Sequence, residues 1–275
     1  MIKRILLGLG ATPLSHLAVR RAVTLAQQRA ATITAVTVLD MDLWKAALGH
    51  VAAAGEAARR IESQPWAVAR RRLERMIDEF QTACVEARID GQVIKPQGNP
   101  FDELVSQWRY HDLLVFGLRG LFDYSLVPQP EQTIADLIRR GVRPIYAVAG
   151  KDRPIRRVLI AYSGSMESAK AMKRYVQMAM WPEAQVHLAC FETAEDVGTQ
   201  LMQDAVAYCR AHGLKPDARL VSEPAIRGLL PHARTVEADL IVLGDSYRSA
   251  LTSFLLGDVV QHAVRNSDIS LFLSH

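Results

Sequence analysis

Two stretches of the chain occur twice. His111-Asp112-Leu113-Leu114-Val115-Phe116-Gly117 returns as Ala238-Asp239-Leu240-Ile241-Val242-Leu243-Gly244, and Lys3-Arg4-Ile5-Leu6-Leu7-Gly8 returns as Arg156-Arg157-Val158-Leu159-Ile160-Ala161. Each copy is a charged or polar lead-in followed by a short apolar run that ends at a small residue. The first pair is offset by 127 residues and the second by 153, so the first half carries a longer insert between shared elements. A repeat of this length is a duplicated domain, and both copies must build the same core. The 275 residues suffice for two such domains.

The order of elements follows from periodicity. In the first half, Ile2 to Leu9 reads as a buried strand. A helix follows with Leu14, Ala18, Ala22, Leu25 and Ala26 on one face, started by Thr12-Pro13. Thr32 to Val38 is a strand, and Asp40 to Gln64 is an alanine-rich insert expected to be helical. Pro65 is expected to start a helix carrying Arg70, Arg71, Arg72 and Arg75 opposite an apolar face of Leu73, Met76, Ile77, Phe80 and Cys84. Gln92 to Lys95, Leu113 to Gly117 and Pro144 to Val148 complete five strands, with helices at Phe101 to Trp108 and Glu131 to Arg140.

The second half repeats this order with strands at Val158–Tyr162, Val186–Phe191, Arg219–Val221, Leu240–Gly244 and Ile269–Leu273. Helices alternate with them, the first marked by Ala169, Met172, Val176 and Met180. Alternating strands and helices predict an α/β fold of two doubly wound, Rossmann-like domains, each a five-stranded parallel sheet with helices on both faces. The domains are placed at 1–149 and 155–275, joined by Gly150 to Pro154. Ligands of such sheets sit beyond the C-terminal strand ends where strand order reverses. That directs attention to the loops after the first strand (Gly8 to Thr12, and Ala161 to Ser165) and after the fourth (from Gly117, and from Gly244).

Composition narrows the function classes. The apolar fraction is 49% and the charged fraction 23%, values of a soluble globular protein. No apolar run reaches the roughly 20 residues of a membrane span, and no signal-peptide pattern opens the chain. Cys84, Cys190 and Cys209 are too scattered for a disulfide framework, so a cytoplasmic location with reduced thiols is expected. The net charge of +4 is mild. The arginine run lies on the solvated side of an amphipathic helix with no interleaved aromatics, so neither nucleic acid nor membrane is expected as a partner.

The element order, together with Ala238 to Gly244 followed by Phe254-Leu255-Leu256-Gly257-Asp258-Val259-Val260, resembles the universal stress protein family in its tandem two-domain form. The nucleotide-binding branch of that family has an aspartate after strand one. After strand four it has a spaced set of glycines ending in a glycine and a hydroxyl residue. Glycines let backbone amides close on phosphate, and a helix N-terminus favours negative charge.

This chain keeps part of that pattern. The residues carried over as candidate binders of an adenine nucleotide such as ATP are Ser163, Gly164, Ser165, Gly244, Arg248 and Gly257 in the second half, and Gly117, Arg119 and Gly120 in the first. It departs from the pattern where the aspartate is replaced by Gly10 and Ser163. The glycine-hydroxyl pair becomes Pro130-Glu131 in the first half and Gly257-Asp258 in the second, and Tyr247 stands where a glycine is expected. A carboxylate at a helix N-terminus already satisfies the dipole and repels phosphate.

The run Ser163 to Ser168 also resembles the pyrophosphate loop of ATP pyrophosphatase-type enzymes, with Ser165 for a glycine and Glu167 for an aspartate; read without that resemblance, it is a helix cap. No catalytic constellation emerges. The eight histidines lack metal-ligand spacing, no Gly-x-Ser-x-Gly elbow ends a strand, and Met166, Met172, Met178 and Met180 read as core filling.

The expectation is therefore a non-enzymatic tandem protein with a regulatory or ligand-sensing role in stress response. The alternative is an ATP- or adenine-nucleotide-binding protein using the second-half loop, with weak ATP hydrolysis open to it. Single-domain members of the family pair through their last strands. The resemblance thus implies that the strands ending at Val148 and Leu273 meet within one chain as a pseudo-twofold, intrachain dimer.

The insert adds a second kind of partner. Met41, Leu43, Trp44, Ala47, Leu48 and Val51 fall at helical spacing, suited either to packing on their own domain or to docking a protein partner or a second copy as a homodimer. If the insert docks, Trp44→Ala weakens self-association by about 2 kcal/mol, as loss of an aromatic anchor does, and leaves thermal unfolding unchanged. A loss of about 3–5 kcal/mol in stability with association intact makes the insert core. Sedimentation velocity and urea titration read the two outcomes.

Overall fold

A computed structural model describes residues 2–10, 12–38, 56–96, 99–118, 137, 144–150, 152–192, 194–244 and 257–274. In chain order its elements are β1 (Arg4–Leu9), α1 (Pro13–Arg29), β2 (Thr32–Thr37), α2 (Glu56–Ala87), β3 (Gly91–Ile94), α3 (Pro100–Trp108), β4 (Leu113–Gly117) and β5 (Ile145–Val148). The second half adds β6 (Arg157–Tyr162), α4 (Met166–Met178), β7 (Gln185–Phe191), α5 (Glu195–Ala211), β8 (Asp217–Val221), α6 (Ala225–Thr235), β9 (Leu240–Gly244), α7 (Asp258–Asn266) and β10 (Ser270–Ser274). The chain forms two compact units, Lys3–Pro130 and Met1–Ile2 with Glu131–His275.

In the first unit the strand order is β3-β2-β1-β4, every pair parallel. In the second it is β5-β10-β9-β6-β7-β8, parallel except for the antiparallel pair β5–β10. The last strands of the two repeats therefore meet within one chain, as the resemblance implied, with Ala147 opposite Leu271 and Ile145 opposite Leu273. All four residues of β5 and all five of β10 are buried, so neither apolar strand is left bare.

The two sequence repeats are neighbouring central strands. Ile5, Leu6 and Leu7 of β1 lie against Leu113, Leu114 and Val115 of β4; Val158, Leu159 and Ile160 of β6 lie against Leu240, Ile241 and Val242 of β9. The register is the same in both halves. The aspartate that leads each fourth strand explains why. Asp112 Oδ2 accepts from the backbone N–H of Lys3 (2.8 Å) and Arg4 (3.1 Å), and its own N–H donates to the Arg4 carbonyl (2.8 Å). Asp239 Oδ2 accepts from Arg156 N (2.8 Å) and Arg157 N (2.9 Å), while Asp239 N donates to Arg157 O (2.8 Å). One carboxylate thus satisfies two donors at the edge of the ladder and fixes which residue faces which. Asp239 has a further partner, Arg153 Nε at 2.7 Å from Oδ1, so the segment read as a linker is tied to the head of β9.

Helices cover the strands by the faces expected. Leu73, Met76, Ile77, Phe80 and Cys84 of α2 are buried, and Arg70, Arg71, Arg72 and Arg75 are exposed, Arg70 pairing with Glu74 at 3.0 Å. The cysteines are buried and unpaired, and burial pushes the Cys84 and Cys209 thiols up to about 11, so they stay protonated at neutral pH. His111 is buried, its Nδ1–H donating to the Gln107 carbonyl at 2.6 Å. Burial above all, then Arg4, holds it below the ordinary imidazole value. No helix among the described residues is long and apolar enough to cross a membrane.

Two expectations are corrected. Pro65 does not start its helix, because α2 already begins at Glu56. The run Glu56-Ala57-Ala58-Arg59-Arg60 is made of strong helix formers that carry the helix past the proline. Met172, Met178 and Met180 fill the core, but Met166, the first residue of α4, is 69% exposed, off the face that buries Ser168, Ala171, Met172 and Tyr175. The insert residues Met41 to Val51 lie outside the described residues, as does the helix expected at 131–140 apart from the buried Leu137.

If the aspartate clasp sets the register, Asp239→Ala lowers stability by about 1–2 kcal/mol, the loss of two charge-assisted hydrogen bonds at the strand edge. Asp112→Ala, without the arginine partner, costs less. Urea unfolding measures both; losses below about 0.5 kcal/mol contradict the assignment.

Candidate ligand site

The C-terminal ends of β6, β7 and β9, where strand order reverses around β6, border a cavity of about 430 Å³. This is within the range of small-molecule sites. Its polar side is the loop from β6 into α4, with Tyr162, Ser163, Ser165 and Ser168; the N-terminus of α7, with Gly257, Asp258 and Val259, adjoins it. Its apolar wall is Phe191 from the end of β7 and Pro224, Ala225 and Ile226 from the start of α6. Gly244 closes the floor at the end of β9.

The serine loop is interlocked. Ser165 is the N-cap of α4: its Oγ accepts from Ser168 N at 3.2 Å, and Ser168 Oγ donates to the Ser165 carbonyl at 2.9 Å. Ser163 Oγ lies 3.1 Å from Ser165 Oγ and 3.4 Å from Ser168 Oγ, and Ser163 N donates to Ser168 Oγ at 3.3 Å. The first half places two hydroxyls at the same positions, bonded in a different pattern. Thr12 N donates to Ser15 Oγ at 3.2 Å, and the two hydroxyls are 3.1 Å apart. Thr12 and Ser15 correspond to Ser165 and Ser168 at the 153-residue offset. The hydroxyl pair is therefore a property of the repeated fold, and Ser163, which replaces Gly10, is the hydroxyl added in the second half.

Glycines at this edge are placed by packing. A Cβ on Gly244 would fall 2.3 Å from the carbonyl carbon and oxygen of Glu167 and 2.5 Å from Ser168 N, so β9 meets the first turn of α4 backbone to backbone. Gly117 makes the equivalent approach to Leu14 of α1, at 2.7 Å from its Cβ. Both fourth strands thus need glycine at their last residue whatever the site binds. Gly164 turns the serine loop at φ +74°, a conformation that L side chains rarely adopt.

Of the residues singled out in the sequence, Ser163, Ser165, Gly244 and Gly257 border the one cavity, with Gly164 between the two serines. Gly117 belongs to the other unit and is not among the residues that line this cavity. Arg119, Gly120 and Arg248 lie outside the described residues. Phe191, Pro224 and Ile226 were missed, because they come from strand and helix ends that carry no polar motif. The rule that ligands sit beyond the strand C-termini, applied to β7 and β8 as well, would have found them. Asp258, exposed in the first turn of α7, brings an acidic residue to the cavity lining. Burial, chiefly, holds the Tyr162 phenol above its ordinary value, with Asp204 adding to it.

If the contact at Gly244 is as tight as the backbone approach implies, Gly244→Ala forces β9 and α4 apart. It costs about 1–3 kcal/mol in thermal or urea unfolding, as overpacking does. An unchanged melting temperature contradicts it.

Comparison with known proteins agrees with this architecture. The family model described as the universal stress protein family matches twice, over residues 1–125 and 154–275. The crystal structure of a universal stress protein from Archaeoglobus fulgidus DSM 4304 is similar over 99% of this chain and 96% of its own, at 16% identity and a TM-score of 0.67. A protein described as belonging to the same family, from Pseudomonas aeruginosa UCBPP-PA14, is similar over 99% and 93%, at 14% identity and a TM-score of 0.62. A universal stress protein in complex with cAMP matches 44% of this chain and 96% of its own, at 26% identity and a TM-score of 0.39. No curated protein matches the chain in sequence. The chain, with one match in each half, belongs to the universal stress protein family.

Proposed function

We propose that this protein acts in stress response as a non-catalytic ligand sensor, holding a small molecule in the second-half cavity and signalling its occupancy to a protein partner. The observation that carries this reading is the pairing of a formed cavity with a carboxylate at its anion end. Asp258 sits in the first turn of α7, where a phosphate would otherwise meet free backbone N–H groups. A like charge close to a phosphate lowers its affinity tenfold or more at ordinary ionic strength. The serine hydroxyls support binding over turnover. Among the described residues, their hydrogen bonds run to one another and to the backbone of the cap rather than to a general base.

A second reading, binding of an adenine nucleotide by the same loop, is favoured by one feature. The N-termini of α4 and α7, capped by Ser165 and Gly257, converge on the cavity. A single substitution separates the two. If Asp258 is what excludes phosphate, ATP at 1 mM (roughly a cellular level) leaves the melting temperature of the natural chain unchanged, and Asp258→Ser gains ATP binding. At about 100 times its dissociation constant a ligand adds about 2.7 kcal/mol, a rise of several degrees. Stabilisation of the natural chain by ATP with no gain from Asp258→Ser favours the second reading. Hydrolysis of ATP that depends on Ser163 overturns the non-catalytic one.

A further inference from the structure

Behind the apolar wall of the cavity lies a cluster of titratable side chains that neither the cap nor the cavity uses. His187 of β7 stands beside Asp217 of β8 in the parallel register, and its Nδ1 is 3.4 Å from Asp217 Oδ2. Arg219, two residues along β8 on the same face, has its Nε 4.0 Å from that oxygen. His187 is only 9% exposed, and its Nε2 is buried without a hydrogen-bond partner. α6 covers this face with His232, whose ring meets Phe191 edge-on at 6.2 Å between centroids. Phe191 and the first residues of α6 are the cavity wall itself.

The other charged groups around α6 do not neutralise the cluster. Arg234 pairs with Asp268 at 3.5 Å, and Glu223 packs on Gly228 at the start of the helix beside exposed Arg227. On α7, which packs on α6, His262 Nδ1 accepts from Asn266 Nδ2, and Asp258 and Arg265 lie at opposite ends.

We infer that the cavity is gated by pH: a proton on His232 loosens α6 from Phe191 and opens the wall formed by Pro224, Ala225 and Ile226. The charges set the direction. Protonated His232 would add a second cation to Arg219 on a face that holds a single carboxylate, Asp217. Burial above all, then Arg219 and His187, holds His232 below the ordinary imidazole value, and Asp217 opposes them. The docked helix therefore favours the neutral ring. Its contribution is complete well above about pH 6.5, the unfolded value, and is lost as pH falls below that toward the folded value. The functional consequence, release of a bound ligand in mild acid, rests on the cavity being the ligand site. The gate itself does not.

Native-state hydrogen exchange on the full chain without ligand tests it. After correction for the intrinsic rate, protection of the α6 amides falls about threefold or more between pH 7.5 and 5.5, while β6 amides keep theirs. His232→Phe, which retains the ring contact and cannot be charged, abolishes the fall; should that variant fold poorly, His232→Gln serves. Asp217→Asn removes the opposing carboxylate and moves the midpoint to lower pH. Constant α6 protection, an equal loss in β6, or an unchanged response in the His232 variants overturns the gate. None of these outcomes depends on which ligand the cavity takes.

Discussion

One carboxylate per half organises everything built on these sheets. Asp112 and Asp239 stand at the heads of β4 and β9 and bind the first N–H groups of β1 and β6. A parallel pair has no hairpin to set its register, and a slip of one residue would turn the apolar set to the wrong face. The clasp supplies the reference point. It lies at the strand N-termini, away from the ligand edge, so stability and binding are assigned to opposite ends of the same two strands.

From that fixed end the strands run to a ligand edge with little freedom. Gly117 and Gly244 end β4 and β9 in close approach to α1 and α4, and those helices start at hydroxyl residues in the same positions in both halves. The halves then diverge through side chains that the fold does not require. Ser163 replaces Gly10, and Phe191, Pro224 and Ile226 raise an apolar wall beside it. Duplication has kept the frame and left the edge to change, which is how function is grafted onto a fold.

Much of this was legible in the sequence because it was written twice. The repeated apolar runs identified the central strands, and the close approach of their terminal glycines to a helix emerged only from the structure. What the aspartates do was not legible: an acidic lead-in reads as a solubilising turn until the partner strand is in place. The wall of the cavity was hidden for a different reason. Phe191 and Ile226 look like ordinary strand and helix residues, and only topology brings them beside the serine loop. Met166 misled because it groups with the neighbouring methionines as core filling, while its place as the first residue of α4 leaves it in solvent. Pro65 misled because proline marks helix starts on average, and here the alanine- and arginine-rich run before it is helical already.

The central claim is that the second-half edge, and not the equivalent edge of the first half, is the place where this protein meets a small molecule. Backbone amide chemical shifts of the full chain, followed during titration with adenosine as a phosphate-free probe, test it most directly. The account predicts saturable shifts at Ser163 to Ser168, Phe191, Ile226, Gly244 and Gly257, with Gly8 to Thr12 and Gly117 unmoved. Shifts confined to the first-half loops, or none at millimolar probe, contradict it.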